Sequence, residues 1–440
     1  MSTQPSPDAH ASERAQLAAR IHAMLGAGME GGARPFDQLA LDVFAYQYRC
    51  NTPYRAFCDA LGRRPENVNA WRDIPAFPTD SFKTELVTSF PFDQAVMAQL
   101  TSGTTAIVRG QIFRDEIGRA LVLEANRVMT AAYLFPDLAH GQRCRVLILA
   151  PSPEMAPSMG MAVGMDETRR HFGTSNSRFL LSHSGIDVAA LVAALSESEA
   201  SGVPVAMIGS TSAFVFFFKA CRQRGVSFHL PAGSRIGDGG GYRGRFGEMT
   251  QEDYLALAYS VLGIPATYCV NVLGMAESAT NYFDDTLRGA VTGEPAGKRM
   301  RRNPPWTRTL AVSLDDLSIL PPGQIGLLRH YDVVNLPTVL AVQTDNLGYT
   351  DAVGNFQIVG RAQRDQAGKV SLLPSERTVG PMGDKRIFRA LEAYVNFSIR
   401  FKAARLKPRT PMVPPACPCG ELADAMIEDT PADAFNRLTL

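Results

Sequence analysis

The run Leu100-Thr-Ser-Gly-Thr-Thr-Ala-Ile-Val-Arg-Gly110 places five hydroxyl or glycine residues in succession, then a lone cation and a second glycine. Small side chains let consecutive backbone N–H groups converge on one concavity. The hydroxyls of Thr101, Ser102, Thr104 and Thr105 add donors around Gly103, and Arg109 adds permanent charge. Such an assembly binds anions, phosphates above all. A surface loop of turn formers has the same composition, so the run alone leaves both readings open. It is not the P-loop of NTPases, because Val108 stands where that motif requires its second glycine.

Three more residues carry chemistry further along. Ala266 to Gly274 reads as a buried strand that runs into Met275-Ala-Glu277. A carboxylate at the end of such a strand needs a partner or a metal, so Glu277 is a candidate Mg²⁺ ligand facing ATP, with a solvated helix cap as the competing reading. Asp345 follows the apolar run from Thr338 and precedes an expected turn at Leu347-Gly348. There its carboxylate can accept hydrogen bonds from both ribose hydroxyls, or serve the turn alone. Arg361 ends the run from Phe356 and offers a guanidinium for phosphate or carboxylate. The glycine-rich stretch 233–245, with Gly239 and Gly240 at its centre, is expected as a turn at a strand edge that binds ligand, or as a connector.

The elements that must position these residues alternate. A helix is expected from Ser12 to Leu25, a second helical pattern from Phe36 to Leu61, and a confined helix from Asp115 to Tyr133. Buried strands are expected at 143–150, 203–209 and 226–230, with helices at 188–199 and 211–224 between them, an α/β layered order. Phe214, Phe216, Phe217 and Phe218 on the second of those helices read as core, with an acyl pocket as the minor alternative. Beyond Pro304 the pattern becomes antiparallel strands at 309–312, 326–331 and 338–345, closed by 356–361. A basic amphipathic helix is expected at 384–409, followed by a proline-rich segment holding Cys417 and Cys419.

Composition narrows the partners. The 440 residues are 45% hydrophobic and 20% charged, the balance of a globular protein with a large core. A net charge of +1 from 44 basic and 43 acidic residues gives no field for nucleic acid or a membrane surface, so the expected partner is a small molecule. Seven scattered cysteines without framework spacing suit a reducing cytoplasm and free thiols. No stretch approaches a membrane span or a signal peptide.

In their joint order these segments resemble the acyl-protein synthetase (LuxE-like) family, a branch of the adenylate-forming enzymes that includes phenylacetate-CoA ligases. The similarity covers roughly residues 36 to 361. It runs through Phe36 to Tyr48, Ile74 to Lys83, Thr101 to Thr105, Gly274 to Glu277, Gly326 to Asp332, Leu340 to Asp345, and Gly360-Arg361. The resemblance implies a large layered α/β adenylation domain with a small antiparallel β subdomain at 35–361, an N-terminal extension at 1–34 and a short C-terminal region at 362–440. It implies ATP and Mg²⁺ as cofactors, a carboxylic acid as substrate, and an acyl-adenylate with release of pyrophosphate as the chemistry.

Carried over by position, 101–105 and Arg109 look like the loop around the pyrophosphate end of ATP, with arginine for the usual lysine and Ala106 for the usual glycine. Glu277 looks like the acid that contacts Mg²⁺ and phosphate, although Leu273 and Ala276 replace the family's tyrosine and threonine. Asp345 looks like the ribose-binding aspartate and Arg361 like the arginine that follows it. Gly239, Gly240 and Gly241 look like the wall of the adenine pocket. Two departures bear on acyl transfer. The C-terminal region shows no counterpart of the catalytic lysine of larger relatives, and Val370 stands where luminescence-type members place an acyl-accepting cysteine. The implied acceptor is therefore CoA, a carrier protein, a reductase partner or an amine, with Cys417 or Cys419 as the intramolecular alternative. Neither cysteine has the further ligands of a zinc site, since the region holds no histidine. A noncatalytic nucleotide-binding or scaffold protein on the same fold is the rival from another class.

Overall fold

The computed structural model describes residues 7–31, 34–101, 110–182, 185–241, 243–244, 247–294, 297–364 and 370–374. Ser102 to Arg109 and the region holding Cys417 and Cys419, with the helix expected at 384–409, lie outside the described residues.

Two sheets organise the chain. The first runs, in spatial order, Tyr282–Phe283, Cys269–Leu273, Arg235–Gly239, Val205–Ser210, Arg145–Leu149 and Arg178–Phe179, parallel except for the antiparallel edge at Tyr282–Phe283. Its strands are apolar on both faces because helices cover both. Val146, Ile148, Ala206 and Ile208 join a core with helices α1 (Pro7–Gly26), α2 (Arg34–Cys50), α3 (Thr52–Ala60) and α4 (Glu116–Tyr133). Helix α5 (Gly160–Phe172) packs on α4 on that same side. Leu147, Leu149, Val205 and Met207 point the other way, toward α6 (Val188–Ser201), α7 (Thr211–Gln223) and α8 (Gln251–Leu262). This period-two partition of one strand between two cores is what fixes the register. Phe214, Phe217 and Phe218 are buried in the second core against Tyr254, so the aromatic cluster is packing.

The third strand is not where periodicity predicts it. Residues 226–230 form no strand; Phe228 and Leu230 donate backbone hydrogen bonds to Val261 and Leu262 at the end of α8, and their side chains fill the core beneath the sheet. The strand is instead Arg235–Gly239, inside the glycine-rich stretch expected as a turn. An apolar run marks burial, and here the burial is that of a connector docked on a helix. The edge site survives the shift, since Gly239 and Gly240 still stand at the carboxyl end of a central strand.

The second sheet is antiparallel over Thr307–Val312, Gly326–Asp332, Ala341–Thr350, Phe356–Arg364 and Val370–Pro374, with the two-residue strand Phe77–Pro78 added parallel to the third. No turn forms at Leu347-Gly348, because the ten-residue strand runs straight through them. Helix α9 (Thr286–Thr292) bridges toward the first sheet. Among the described residues no helix is long and apolar enough to cross a membrane.

The N-terminal helices belong to this core. Leu17, Ile21 and Leu25 of α1 are buried, and Arg14 forms a buried ion pair with Asp115, which also accepts from Gly118 N at 3.0 Å as the N-cap of α4. The Arg14 guanidinium lies 5.2 Å from the centre of the Phe90 ring. Removing one member of such a pair strands the other charge. Arg14→Ala is therefore expected to cost about 3 kcal/mol in urea unfolding, and Arg14→Ala with Asp115→Ala less than the sum of the two single changes.

Candidate active site

A cavity of about 640 Å³ lies where the two sheets meet. It is lined by the polar residues Thr79, Asp80, Lys83, Thr101, Glu277, Thr344, Asp345 and Arg361 and by the apolar residues Val122, Leu134, Met159, Met161, Met165, Ile208 and Phe283. Gly239 and Gly240 line it from the carboxyl edge of the parallel sheet.

Strands Met97–Leu100 and Gln111–Arg114 pair antiparallel as a hairpin, and Thr101 and Gly110 extend the pairing. The Thr101 N–H donates to Gly110 O at 2.9 Å, and its hydroxyl accepts from Gly110 N at 2.9 Å. Gly110 has no room for a side chain, since a Cβ there would lie 2.8 Å from Thr101 Cγ2 and 3.2 Å from Phe82 Cβ. Phe82 thus braces the hairpin, and the next residue, Lys83, faces the cavity with its Nζ 2.9 Å from Asp80 Oδ1. Lys83 lies in one of the segments that carry the family resemblance, and its mark in the sequence is a cation directly after an aromatic residue that is buried.

Glu277 sits on a turn after strand Cys269–Leu273, with no helix for it to cap. Burial pushes its carboxyl above the usual carboxylate range, against the opposing pull of its own N–H and of the Arg361 and Lys83 charges. The turn is held from below. Asp332 Oδ2 accepts from Ser278 Oγ at 3.0 Å, Ala279 N at 3.0 Å and Thr280 N at 2.8 Å, and Asp332 Oδ1 accepts from Val334 N at 3.1 Å. Asn335 Nδ2 donates to Glu277 O at 2.8 Å, and buried Arg114 donates to Ala276 O at 3.1 Å. Burial lowers the Arg114 pKa to about 10, with the Asp332 and Glu277 charges pulling it back up.

Asp345 lies within the strand rather than at its end. Arg329 pairs with Gln343 and Leu327 with Leu347, so three residues of one strand oppose one of its partner. That bulge presents Thr344, Asp345 and Asn346 to the cavity, the common use of a bulge beside a site. Arg361 comes from the neighbouring strand, paired with Asn346. Gly240 has φ +118, a conformation open to glycine, and its carbonyl accepts from Asn271 Nδ2 at 3.2 Å. Beneath it, Asp238 accepts from Thr211 Oγ1 at 2.6 Å and Asn271 Nδ2 at 2.9 Å. Of the residues singled out in sequence, Thr101, Gly239, Gly240, Glu277, Asp345 and Arg361 therefore share one cavity. Ser102, Gly103, Thr104, Thr105 and Arg109 fall outside the described residues.

This pairing of a helix-covered parallel sheet with an antiparallel sheet, and a cavity at their seam, is the fold of the adenylate-forming enzymes. The chain superposes on an open conformation of 2-hydroxyisobutyryl-CoA ligase in complex with 2-HIB-AMP and CoA with a TM-score of 0.54, at 11% identity, over 84% of this chain and 91% of that one. It spans 49% of the McyG A-PCP structure, where the TM-score is 0.43. The family profile described as acyl-protein synthetase, LuxE, matches residues 28–371, and the chain belongs to that family. The long-chain-fatty-acid–luciferin-component ligase of Vibrio harveyi is 24% identical over 317 residues, covering 71% of this chain and 78% of that protein. The chain is accordingly an AMP-forming ligase, which activates a carboxylic acid with ATP as an acyl-adenylate and passes the acyl group to an acceptor.

Burial pushes the Asp238 carboxyl from 3.8 up to about 6, the Thr211 and Asn271 hydrogen bonds opposing it. The folded chain thus holds this proton more tightly than the unfolded chain, so the associated stability is present below about pH 4 and is lost as pH rises through about 6. Asp238→Asn keeps an acceptor for Thr211 and Asn271 but cannot ionise. Urea unfolding at about pH 4.5 and about pH 7.5 should show the variant gaining on the parent at the higher pH, by no more than about 3 kcal/mol.

Proposed function

We propose that the cavity is the adenylation centre, with the nucleotide held by its charged residues and the acid's chain by its apolar residues. The observation that carries this reading is convergence. Thr101 from a hairpin, Glu277 from a turn, Asp345 from a bulge and Arg361 from the adjacent strand meet on one cavity whose lining also includes the apolar side chains of Val122, Met161, Met165 and Phe283.

Each residue has work that its chemistry suits. Asp345 accepts hydrogen bonds from the ribose hydroxyls, and the carbonyl edge at Gly239 and Gly240 lies against the base. Arg361 and Lys83 offset the repulsion between the acid's carboxylate and the phosphates, with Arg109 and the hydroxyl loop at the leaving end. The chain's main contribution is to hold carboxylate and α-phosphate in line and away from water.

Mg²⁺ fits this donor set only together with nucleotide. Among the described residues no three His, Cys, Asp or Glu side chains stand close enough to hold a metal. Glu277, a carboxylate made basic by burial, would be the protein ligand, with phosphate oxygens supplying others. When bound, the ion neutralises charge on the departing pyrophosphate.

For the acyl group, we place the acceptor outside the chain, as a thiol of CoA or of a carrier-protein phosphopantetheine, or as an amine. None of the described cysteines lines the cavity, and burial pushes the Cys58 and Cys221 thiols up to about 12, far from thiolate reactivity.

Carboxylate-dependent exchange of labelled pyrophosphate into ATP tests the centre. Glu277→Gln should lower kcat by about 10²-fold or more, and Asp345→Ala should act mainly by raising the KM for ATP about tenfold. Exchange that survives both substitutions unchanged refutes these assignments. Intact mass after incubation with ATP, Mg²⁺ and acid tests the acceptor. No stable acyl adduct is expected on the chain, whereas a hydroxylamine-labile adduct that vanishes in Cys417→Ser with Cys419→Ser would show an intramolecular thioester instead.

A further inference from the structure

The apolar lining of the cavity is interrupted by hydrogen-bonding groups that the adenylation chemistry does not use. Helix α4 lines it with Val122, Asn126, Thr130 and Leu134, spaced four residues apart on one face. The two outer positions are apolar and the two inner ones polar, and successive members stand about 6 Å apart along the axis.

Asn126 is held in place. Its Nδ2 donates to Gly164 O of α5 at 3.1 Å, and its Oδ1 accepts from Asn281 Nδ2 at 2.8 Å. That orientation turns the other atom of the second amide, Asn281 Oδ1, into an acceptor with no partner among the described residues; it lies where a Cβ on Gly274 would come within 2.8 Å. Thr130 is only 1% exposed, lines the cavity, and its hydroxyl also has no described partner. A plain alkyl chain lying here would leave both groups dry and unpaired, which disfavours its binding. The charged side chains of the lining, Asp80, Lys83, Glu277, Asp345 and Arg361, are taken up in the adenylation reading, and both Asn281 and Thr130 are uncharged. The complementary ligand group is therefore neutral.

We propose that the acid activated here carries a hydroxyl group on its chain, received by Asn281 and Thr130, with Asn126 as the residue that positions Asn281. The assignment rests on the adenylation reading above and specifies its substrate class. A hydroxyl donates to Asn281 Oδ1 and accepts from the Thr130 hydroxyl, whereas an oxo group can accept from Thr130 but leaves Asn281 Oδ1 unpaired.

Pyrophosphate exchange by the full chain, with octanoate set against octanoates bearing a hydroxyl or oxo group at the second, third and terminal carbons, tests this directly. At least one hydroxylated acid should exceed octanoate in kcat/KM by about tenfold or more, and should also exceed the matching oxo acid. In Thr130→Val, which preserves side-chain shape, and in Asn281→Leu, that ratio should fall toward one. Because a ratio is read, a general loss of activity or of folded protein in either variant does not imitate the result, and the shape-preserving Thr130→Val carries the test if Asn281→Leu does not fold. Octanoate or an oxo acid equal to or better than every hydroxylated acid overturns the proposal while leaving the adenylation reading intact. A preference unchanged in both variants overturns the assignment of these residues. Exchange with none of the acids removes the adenylation reading and the proposal together.

Discussion

The Asp332 carboxylate is the constraint on which the site depends. It ends a strand of the antiparallel sheet, yet three of the four hydrogen bonds it accepts come from the turn that leaves the parallel sheet, through Ser278, Ala279 and Thr280. One buried anion therefore stitches together the two sheets whose seam is the cavity. Burial raises its pKa and the hydrogen bonds from Ser278 and Thr280 oppose the rise, so a carboxylate that would be expensive alone is made tolerable by the groups it holds. Arg114 lies close enough for its charge to interact with both Asp332 and Glu277, which joins the hairpin base to the same network.

A second tier holds that network from the N-terminal side. Gln47 of α2 donates to Asn335 O at 3.0 Å and accepts from Leu340 N at 2.8 Å, while Asn51 Nδ2 donates to Thr338 O at 3.1 Å. These buried amides fix the segment 335–340, and Asn335 in turn fixes the backbone of Glu277. Helices far from any reacting atom thus set the height of the acid that would meet the metal. These hydrogen bonds hold the turn in place although Asn335 Oδ1 and Thr338 Oγ1 have no partner among the described residues, and a fixed turn is the requirement for positioning without reorganisation.

The charge pattern follows the same division. The charged groups of the cavity come from the segment 79–83, the turn, the bulge and the strand beside it, and the remaining lining comes from α4, α5 and the parallel strands. Methionines at 159, 161 and 165 give that wall adaptable shape, while the Asn126 and Asn281 pair gives it a fixed point.

Local chemistry was legible in the sequence. Thr101, an acid after a buried strand at Glu277, an acid between a strand and an expected turn at Asp345 and the arginine at 361 stand out by type and spacing, and the joint order of their segments carries the family resemblance. Layered α/β order was legible too, because burial on both faces writes a continuous apolar run. The same physics misled at 226–230, where burial comes from docking on α8, and it hid the strand Arg235–Gly239, whose glycines and buried charges lack that signature. A bulge leaves no local mark, so Asp345 read as a turn residue. Only tertiary structure decided that Lys83 joins the charged groups of the cavity, and that Asn126, Thr130 and Asn281 share one wall although 155 residues separate the two amides. Periodicity reports which face of an element is buried; what that face meets is set by the packing of elements distant in the chain.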